Sequence, residues 1–262
     1  MKKGIVLGID IGGSGIKAAP VRIKDGKMMD ERHRIPTPSP ATPENIPPVI
    51  AEMVKHFKWK GLVGCGFPTV VQNGVSKTAA NIDNSWIGTN GSKLFSKATG
   101  LPVYVVNDAD VAGMAEMKFG AGRNVSGLVL LCTIGTGIGT VLFINGRLVP
   151  NMELGHIEYK GADVELYATD AVRKAQNLSW EEWAGRFNEY LIAIEKLIWP
   201  DLIILGGGAS KKGEKFLQYI NPKTPVVTAQ LLNNAGIVGA ALAGKYQHKL
   251  AKIAMKANKK KK

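Results

Sequence analysis

A glycine-rich turn between two apolar strands occurs twice in this chain of 262 residues, and the repeat constrains the fold more than any other feature. The first copy reads LGIDIGGSGIKAA (residues 7–19), and the second reads LCTIGTGIGTVLF (residues 131–143). After each copy a tight turn, Asp25-Gly26 or Asn145-Gly146, begins a third strand. Two copies of one unit predict two related lobes.

Segments with helical periodicity alternate with the strands in both halves of the chain. The clearest is residues 179–199, where Ser179 and Glu182 have the spacing of a capping box before a run with one apolar face. Residues 163–176 are also expected to be helical. This alternation predicts an α/β protein with two lobes and a central cleft between them.

The boundary between the lobes is expected near the end of the apolar strand LPVYVVND. We expect an N-terminal lobe of residues 1–107 and a C-terminal lobe of residues 108–245. A last helix, about residues 246–262, is expected to pack back on the N-terminal lobe.

Composition narrows the class of protein. A chain with 45% hydrophobic residues can bury a core, and no apolar run is long enough to span a bilayer. Asp10 interrupts the N-terminal apolar run, and so a signal peptide is not expected. We expect a cytoplasmic location instead. Cys65 and Cys132 lie in apolar stretches, which favours buried reduced thiols, and two cysteines without CxxC spacing cannot form a cysteine-based zinc site.

The chain is strongly basic, with 34 basic and 21 acidic residues and a formal charge of +13. Residues 245–262 contain eight lysines and no acid, and the remainder carries +5. A basic protein attracts polyanions such as nucleic acid, anionic lipid or polyphosphate. The alternative is that the final KKKK is a solvated, frayed end. Lys249, Lys252 and Lys256 would share one face of a terminal helix and could extend a phosphate track.

The glycine turns themselves predict phosphate binding. Glycine lets an anion approach the backbone N–H groups closely and permits positive φ. A strand follows each turn, whereas a helix follows it in dinucleotide-binding and P-loop motifs, and so those motifs are not favoured. Two such hairpins, together with the glycines at 206–208, suit a phosphate chain held across a cleft. A purely structural role is the alternative for any single turn.

Two polar clusters could supply the chemistry of phosphoryl transfer. Asp108 follows a buried strand directly, where a carboxylate can accept a proton from a hydroxyl or can simply cap the next helix. The segment ELGHIEYKGADVE provides Glu153, His156, Glu158 and Glu165, which can converge on sugar hydroxyls.

The stretches GIDIGGSGIKAA, NIDNSW, VNDADVAGMAE and GTGIGTVLFINGRLVPNMELGHIE resemble the ROK family of sugar kinases, within the actin-like (ribonuclease H-like) ATPase superfamily. The resemblance runs from residue 5 to about residue 245. The wording LVPNMELGHIE is most similar to the polyphosphate glucokinase branch of the family. The resemblance implies two actin-like lobes that close on a sugar and a phosphoryl donor.

The resemblance also implies roles for individual residues. Asp108 is expected to be the general base. The expected sugar contacts are Asn81, Asn107, Asp108, Glu153, His156 and Glu165, with Glu158 as the rival of Glu165. The expected phosphate contacts are Asp10, Gly12, Gly13, Ser14, Gly15, Lys17, Thr133, Gly135, Thr136 and Gly137. Lys17 could instead be an exposed strand residue, and Trp86 could line the pocket or belong to the core.

The expected activity is transfer of a terminal phosphoryl group from polyphosphate to the 6-hydroxyl of glucose, with mannose as a second acceptor. ATP is an alternative donor, whose nucleotide would lie at Gly206, Gly207 and Gly208. Asp10 is expected to orient Mg²⁺ through water. Many family members bind structural zinc through cysteines after the histidine, but no cysteine follows His156, and so no structural zinc is expected.

Other functions stay open at this point. The chain could be an ATP-dependent ROK hexokinase for another sugar, or a non-catalytic polyanion-binding protein. A repressor would need an N-terminal DNA-binding module, for which the first phosphate strand leaves no room. The resemblance implies a homodimer and no nucleic-acid or membrane partner.

Overall fold

The structure is a computed structural model, and it describes residues 4–80 and 82–259, with side chains described as far as residue 257. The strands of this part are β1 Ile5–Gly12, β2 Gly15–Arg22, β3 His33–Ile35, β4 Val63–Phe67, β5 Val71–Gln72, β6 Val75–Ser76, β7 Val103–Asn107, β8 Leu128–Ile134, β9 Ile138–Ile144, β10 Arg147–Val149, β11 Glu158–Tyr159, β12 Ala162–Asp163, β13 Leu202–Gly207 and β14 Val226–Thr228. Its α-helices are α1 Ile46–His56, α2 Gly91–Thr99, α3 Asp108–Phe119, α4 Glu165–Ala168, α5 Asp170–Ala175, α6 Trp180–Ile198 and α7 Ala235–Lys259. No helix within these bounds combines the length and the apolarity needed to cross a membrane.

Two five-stranded sheets repeat one topology. The first has the order β3-β2-β1-β4-β7, and the second has the order β10-β9-β8-β13-β14. In each sheet the first three strands are antiparallel and the last two are parallel to the strand that enters the glycine turn. The α/β class and the duplicated unit predicted from the two glycine motifs are therefore confirmed.

The chain folds into two compact units with bounds other than those expected. One unit comprises residues 1–115 and 233–262, and the other comprises residues 116–232. The expected boundaries lay at residues 107 and 245. The first unit extends further because the start of α3 and the first half of α7 pack with the first sheet.

In the first unit, α7 lies directly on the backbone of β1 and β4. A Cβ atom at Gly8 would be 2.0 Å from the carbonyl oxygen of Ile237, and one at Gly64 would be 1.8 Å from that of Ala240. Glycine at these two strand positions is therefore a packing requirement. Because β1 also carries Asp10, this contact fixes the first glycine hairpin against the start of α7.

In the second unit, α6 covers the second sheet with the predicted apolar face, including the fully buried Trp183 and Phe187. The predicted capping box is present, with both Ser179–Glu182 hydrogen bonds formed. The single helix expected over residues 163–176 is two short helices, α4 and α5. Extended backbone at Thr169 separates them, and its side chain caps α5.

Candidate active site

The first glycine hairpin joins β1 and β2 through a two-residue turn. Gly12 pairs with Gly15, leaving Gly13 and Ser14 at the tip. The guanidinium of Arg34, on β3, donates a hydrogen bond of 2.6 Å to the carbonyl oxygen of Ser14. A Cβ atom at Gly15 would lie 2.6–2.7 Å from that guanidinium. Glycine at this position therefore lets a positive charge lie against the turn.

A row of charged residues crosses the sheet next to this turn. Asp10 pairs with Lys17 across β1 and β2, and Lys17 pairs with Arg34 across β2 and β3. The Lys17 ammonium is 3.6 Å from the Asp10 carboxylate. Burial raises the pKa of Asp10, and the charge of Lys17 offsets only part of this effect. Arg34 was not predicted, because its place in the row follows from the β2–β3 register.

The glycine turns do not use the positive φ angles that glycine permits. None of the turn glycines has a φ angle between +20° and +160°; they are Gly12, Gly13, Gly15, Gly135 and Gly137. What distinguishes Gly13 and Gly135 is space, because a Cβ atom there would meet no heavy atom within 4 Å. The lack of a side chain at the tip of each hairpin leaves the backbone open to an approaching anion.

Asp108 begins α3 directly after β7 and is half-buried. Capping of α3 was the alternative role for Asp108. Its neighbour Asn107 caps this helix, because the side-chain oxygen of Asn107 accepts a 3.0 Å hydrogen bond from the N–H of Asp110. The amide nitrogen of Asn107 also donates to the carbonyl of Thr69, at 3.1 Å. One oxygen of Asp108 accepts from the N–H of Ala109 at 2.8 Å. Asn107 thus anchors the junction that presents the Asp108 carboxylate.

Two residues of the NIDNSW segment, Asn81 and Trp86, were considered for the sugar site. Asn81 lies outside the described residues. Trp86 is fully buried and packs edge-on against Phe67 and Phe95, and its indole N–H donates to the carbonyl of Ala41 at 2.8 Å. Of the two roles left open for Trp86, the core role is the one observed.

The second glycine hairpin joins β8 and β9 through Gly135, Thr136 and Gly137. The N–H of Gly135 donates to the carbonyl of Gly137 at 3.0 Å, which closes the turn. The strand before it ends with Thr133 and Ile134. The Thr133 hydroxyl donates to the carbonyl of Gly139, at 3.4 Å.

Glu165 fastens this second turn. One of its carboxylate oxygens accepts a 2.6 Å bond from the N–H of Ile138, and a Cβ atom at Gly137 would lie 2.4 Å from the same oxygen. Burial raises the pKa of Glu153, and the negative charge of Glu165 adds to this rise. The pKa of His156 is raised chiefly by a hydrogen bond to Asp163, and the charge of Glu165 adds to this rise as well. Its rival, Glu158, is exposed and has no such effect. The structure therefore groups Glu153, His156 and Glu165 beside the second turn.

Asp163 is a member of this group that sequence reasoning missed. Its Oδ2 lies 2.9 Å from Nδ1 of His156, while its Oδ1 accepts the backbone N–H of Glu165 at 2.8 Å. This hydrogen bond is the main cause of a raised pKa at His156, whose Nε2 is 3.8 Å from the Glu153 carboxylate. The GADVE spacing was visible in the sequence, but the short β11–β12 pairing that turns Asp163 toward His156 was not.

The third glycine segment, at the end of β13, has a structural explanation at one position. Gly207 has φ +79°, and a Cβ atom there would lie 2.5 Å from the backbone of Ile134. Gly206 and Gly208 have ordinary surroundings. Gly207 therefore lets β13 run close to β8 at the second turn, and the nucleotide contact expected for these glycines stays a prediction.

Cys65 and Cys132 are both buried and unoxidised, as predicted. Burial raises the pKa of both thiols, to about 12 for Cys132. Across residues 4–80 and 82–259, no group of three or more His, Cys, Asp or Glu side chains is arranged to hold a metal ion. The single carboxylate of Asp10 suits Mg²⁺ held through water, since this ion prefers oxygen ligands and retains much of its hydration.

Residues 6–170 match the model of the ROK family. The chain belongs to the ROK family. A polyphosphate glucokinase of Mycobacterium tuberculosis (strain CDC 1551 / Oshkosh) is 48% identical over 237 residues, which cover 90% of this chain and 89% of that protein. The similarity to this relative thus covers nearly the whole length of both proteins.

Two solved ROK structures resemble this one. An inorganic polyphosphate/ATP-glucomannokinase from Arthrobacter sp. strain KM superposes with a TM-score of 0.89 at 44% identity, covering 94% of this chain and all of that one. A ROK family glucokinase from Streptomyces griseus, in complex with glucose and AMPPNP, superposes with a TM-score of 0.78 at 27% identity, covering 91% and 98%. The duplicated α/β fold is therefore the two-lobed fold of ROK sugar kinases.

Proposed function

We propose that this ROK protein is a polyphosphate-dependent glucokinase, which transfers the terminal phosphoryl group of inorganic polyphosphate to the 6-hydroxyl of glucose. The observation that carries the proposal is the 48% identity to a polyphosphate glucokinase over nine-tenths of both chains. In this proposal Asp108, Glu165 and the first glycine turn are the groups assigned to the reaction.

Asp108 acts as the general base. Its carboxylate accepts the proton of the sugar 6-hydroxyl as the sugar oxygen forms a bond to the terminal phosphorus. The bond from that phosphorus to the bridging oxygen breaks, and the shortened polyphosphate leaves with the electron pair. Asn107 keeps the carboxylate at the start of α3 through its bonds to Thr69 and Asp110.

The proposed sugar contacts are polar side chains. In the second unit Glu153, His156 and Glu165 accept or donate hydrogen bonds to ring hydroxyls, and Asp163 fixes the imidazole of His156. Each such bond in a closed site is worth more than in water, because a hydroxyl left unpaired is costly. Asn81 and Asn107 are further sugar contacts in this proposal.

The donor phosphates bind at the glycine turns. In the first unit the N–H groups near Gly13 and the cations of Lys17 and Arg34 face the anion, and Asp10 would hold Mg²⁺ through water. When bound, Mg²⁺ neutralises charge on the donor phosphates. In the second unit Thr133 and Thr136 add hydroxyl groups beside Gly135 and Gly137.

The test is product formation with each donor. Purified protein is incubated with glucose, Mg²⁺ and either long-chain polyphosphate or ATP, and glucose 6-phosphate is measured with a coupled dehydrogenase. We expect turnover with polyphosphate that falls steeply as salt increases, because a polyanion binds with release of counterions. If polyphosphate yields no product while ATP does, the protein is an ATP-dependent hexokinase instead.

A second donor and a second acceptor have support of their own. The Arthrobacter relative is described as a polyphosphate/ATP-glucomannokinase, and the chain keeps Gly206 and Gly208 where a nucleotide is expected. We therefore include ATP and mannose in the same assay. A panel of mannose, fructose and N-acetylated hexosamines under one donor identifies the acceptor range.

Three further features belong to this proposal. They are the use of Mg²⁺, a homodimeric assembly and a location in the cytoplasm. Chelation of Mg²⁺ should abolish turnover, and light scattering of the purified protein should give the mass of a dimer.

A further inference from the structure

The C-terminal half of α7 carries a straight line of lysines. Lys245, Lys249, Lys252 and Lys256 follow one another at intervals of four, three and four residues, and all four are exposed. With 3.6 residues per turn, this spacing aligns them on one face of the helix. We call these four residues the lysine face.

The lysine face has no acidic partner in the part of the chain that the structure describes, because no ion pair there includes any of its four members. Like charges three or four residues apart destabilise a helix. The favourable effect of cations near a helix C-terminus reaches only the last turn. Four aligned lysines therefore form a surface whose repulsion a bound polyanion would relieve.

This part of α7 also extends beyond the body of the first unit. His248 is the last α7 residue with a described side-chain contact to the sheet, at 3.1 Å from the hydroxyl of Tyr104. Residues 252–257 are all exposed. An isolated helical turn is marginal in water, so a ligand that bridges the lysines would also stabilise the helix.

We propose that the lysine face is a docking site for long-chain polyphosphate, separate from the phosphate turns. This inference rests on the proposed function, which makes polyphosphate a substrate. The partner follows from charge complementarity, because an unbranched chain with a regular repeat of negative charges matches a straight row of ammonium groups. The face holds the body of the donor while its end reacts elsewhere.

Geometry makes the site selective for chain length. The start of α7 adjoins Asp10, since a Cβ atom at Gly236 would be 2.6 Å from the Asp10 carboxyl carbon. At a rise of 1.5 Å per residue, Lys249 lies about 20 Å further along the helix and Lys256 about 30 Å. A donor of three phosphates is too short to occupy both the first turn and the lysine face.

The test compares two triple variants that lose the same charge. One is Lys249→Gln/Lys252→Gln/Lys256→Gln. The matched control is Lys55→Gln/Lys93→Gln/Lys97→Gln, which removes three exposed lysines from α1 and α2 of the same unit. The donors are polyphosphate of several hundred phosphates and tripolyphosphate. If tripolyphosphate is not turned over, its inhibition constant against the long donor replaces its KM.

For the α7 variant we expect the KM for long-chain polyphosphate to rise about tenfold, and its logarithmic salt dependence to become shallower by about three. Its kcat and its constant for tripolyphosphate should stay within twofold of the unsubstituted protein. The control variant should change the long-chain KM less than threefold. Equal effects of the two variants, equal effects on long and short donors, or no effect would each overturn the inference.

Two other occupants are outcomes of the same experiment. Tyr246, Leu250 and Ile253 form an exposed apolar strip beside the lysine face. Lysine-dependent binding to phosphatidylserine vesicles with an unchanged polyphosphate KM would mean a membrane surface. Loss of a dimer in Leu250→Ser/Ile253→Ser, with no effect of the lysines on KM, would mean a second copy of the chain.

Failure of the proposed function is distinguishable from failure of this inference. If the unsubstituted protein makes no glucose 6-phosphate from polyphosphate, the proposed function fails. Binding of fluorescently labelled long-chain polyphosphate to the two triple variants then still measures whether the lysine face holds the polymer.

Discussion

The two glycine hairpins share a sheet position and a strand order but differ in the groups next to the turn. Two residues before the glycines, the first hairpin has Asp10 paired with Lys17, and the second has Thr133 paired with Gly139. The first hairpin thus faces its surroundings with charge, whereas the second is neutral and is fastened by Glu165 from outside. We therefore expect the charged copy to act mainly on the donor phosphates, and the neutral copy, which Glu165 fastens, to act mainly on the sugar.

The largest effect is expected at Asp108, the proposed base, which lies in the unit of the charged hairpin. Asp108→Asn should lower kcat by roughly 10² to 10⁴, because the sugar hydroxyl loses its proton acceptor. The measurement is steady-state turnover of a variant whose circular dichroism matches that of the unsubstituted protein. Asp30→Asn, at an exposed carboxylate of the same unit, is the control. A loss below fivefold in Asp108→Asn would place the base elsewhere.

A substitution beside the neutral hairpin should change the KM for glucose. Glu165→Gln keeps an oxygen that can accept from Ile138 but removes the charge that faces Glu153 and His156. We expect the glucose KM to rise about tenfold to a hundredfold, the range for a lost bond to a charged group. Glu158→Gln is the matched control and should change this KM less than threefold. A larger effect at Glu158 would reverse the choice between the two glutamates.

A substitution beside the charged hairpin should change the KM for the phosphoryl donor. Arg34→Gln removes one cation from the first turn, and we expect the polyphosphate KM to rise about fivefold, as for one cation facing an anionic surface. The glucose KM should stay unchanged. Arg22→Gln removes a cation at the end of β2 that is paired with Asp25 in the following turn, and it should have no effect on the donor. A change in glucose KM alone would contradict the division of roles between the hairpins.

The smallest expected effect tests how the second unit braces its histidine. The Asp163 carboxylate raises the pKa of His156, so Asp163→Asn should lower that pKa toward its ordinary value. The pH at which glucose KM changes should fall with it. NMR titration measures the pKa directly, with His156→Gln used to assign the signal among the four histidines. An unchanged pKa would mean that Asp163 does not set the charge of the imidazole.

The sequence predicted those features that depend on local order along the chain. The duplicated strand–glycine–strand unit, the capping box of α6 and the buried thiols all follow from neighbouring residues. The sequence did not reveal Arg34 or Asp163. Each reaches its position through pairing of short strands, β2 with β3 and β11 with β12, whose register is set by the folded sheet.

The same limit applies to the glycines and to the unit bounds. Glycine at the turns permits both a left-handed backbone and the close approach of an anion, and composition alone does not say which is used. The structure shows open space at Gly13 and Gly135. The boundary was expected at the end of β7, but the start of α3, which follows β7, also belongs to the first unit. Tertiary contacts decide which unit each helix joins. For α7 the deciding contacts are with Gly8 and Gly64, far away in the sequence.

Each compact unit contains one cysteine, Cys65 in the first and Cys132 in the second, and both are inaccessible in the native state. Each buried thiol can therefore report when its own unit opens. Under denaturant or heat, the rate at which a thiol reagent labels each site measures how often its own half opens. Mass spectrometry of the labelled peptides would then show whether the two halves melt together or one after the other.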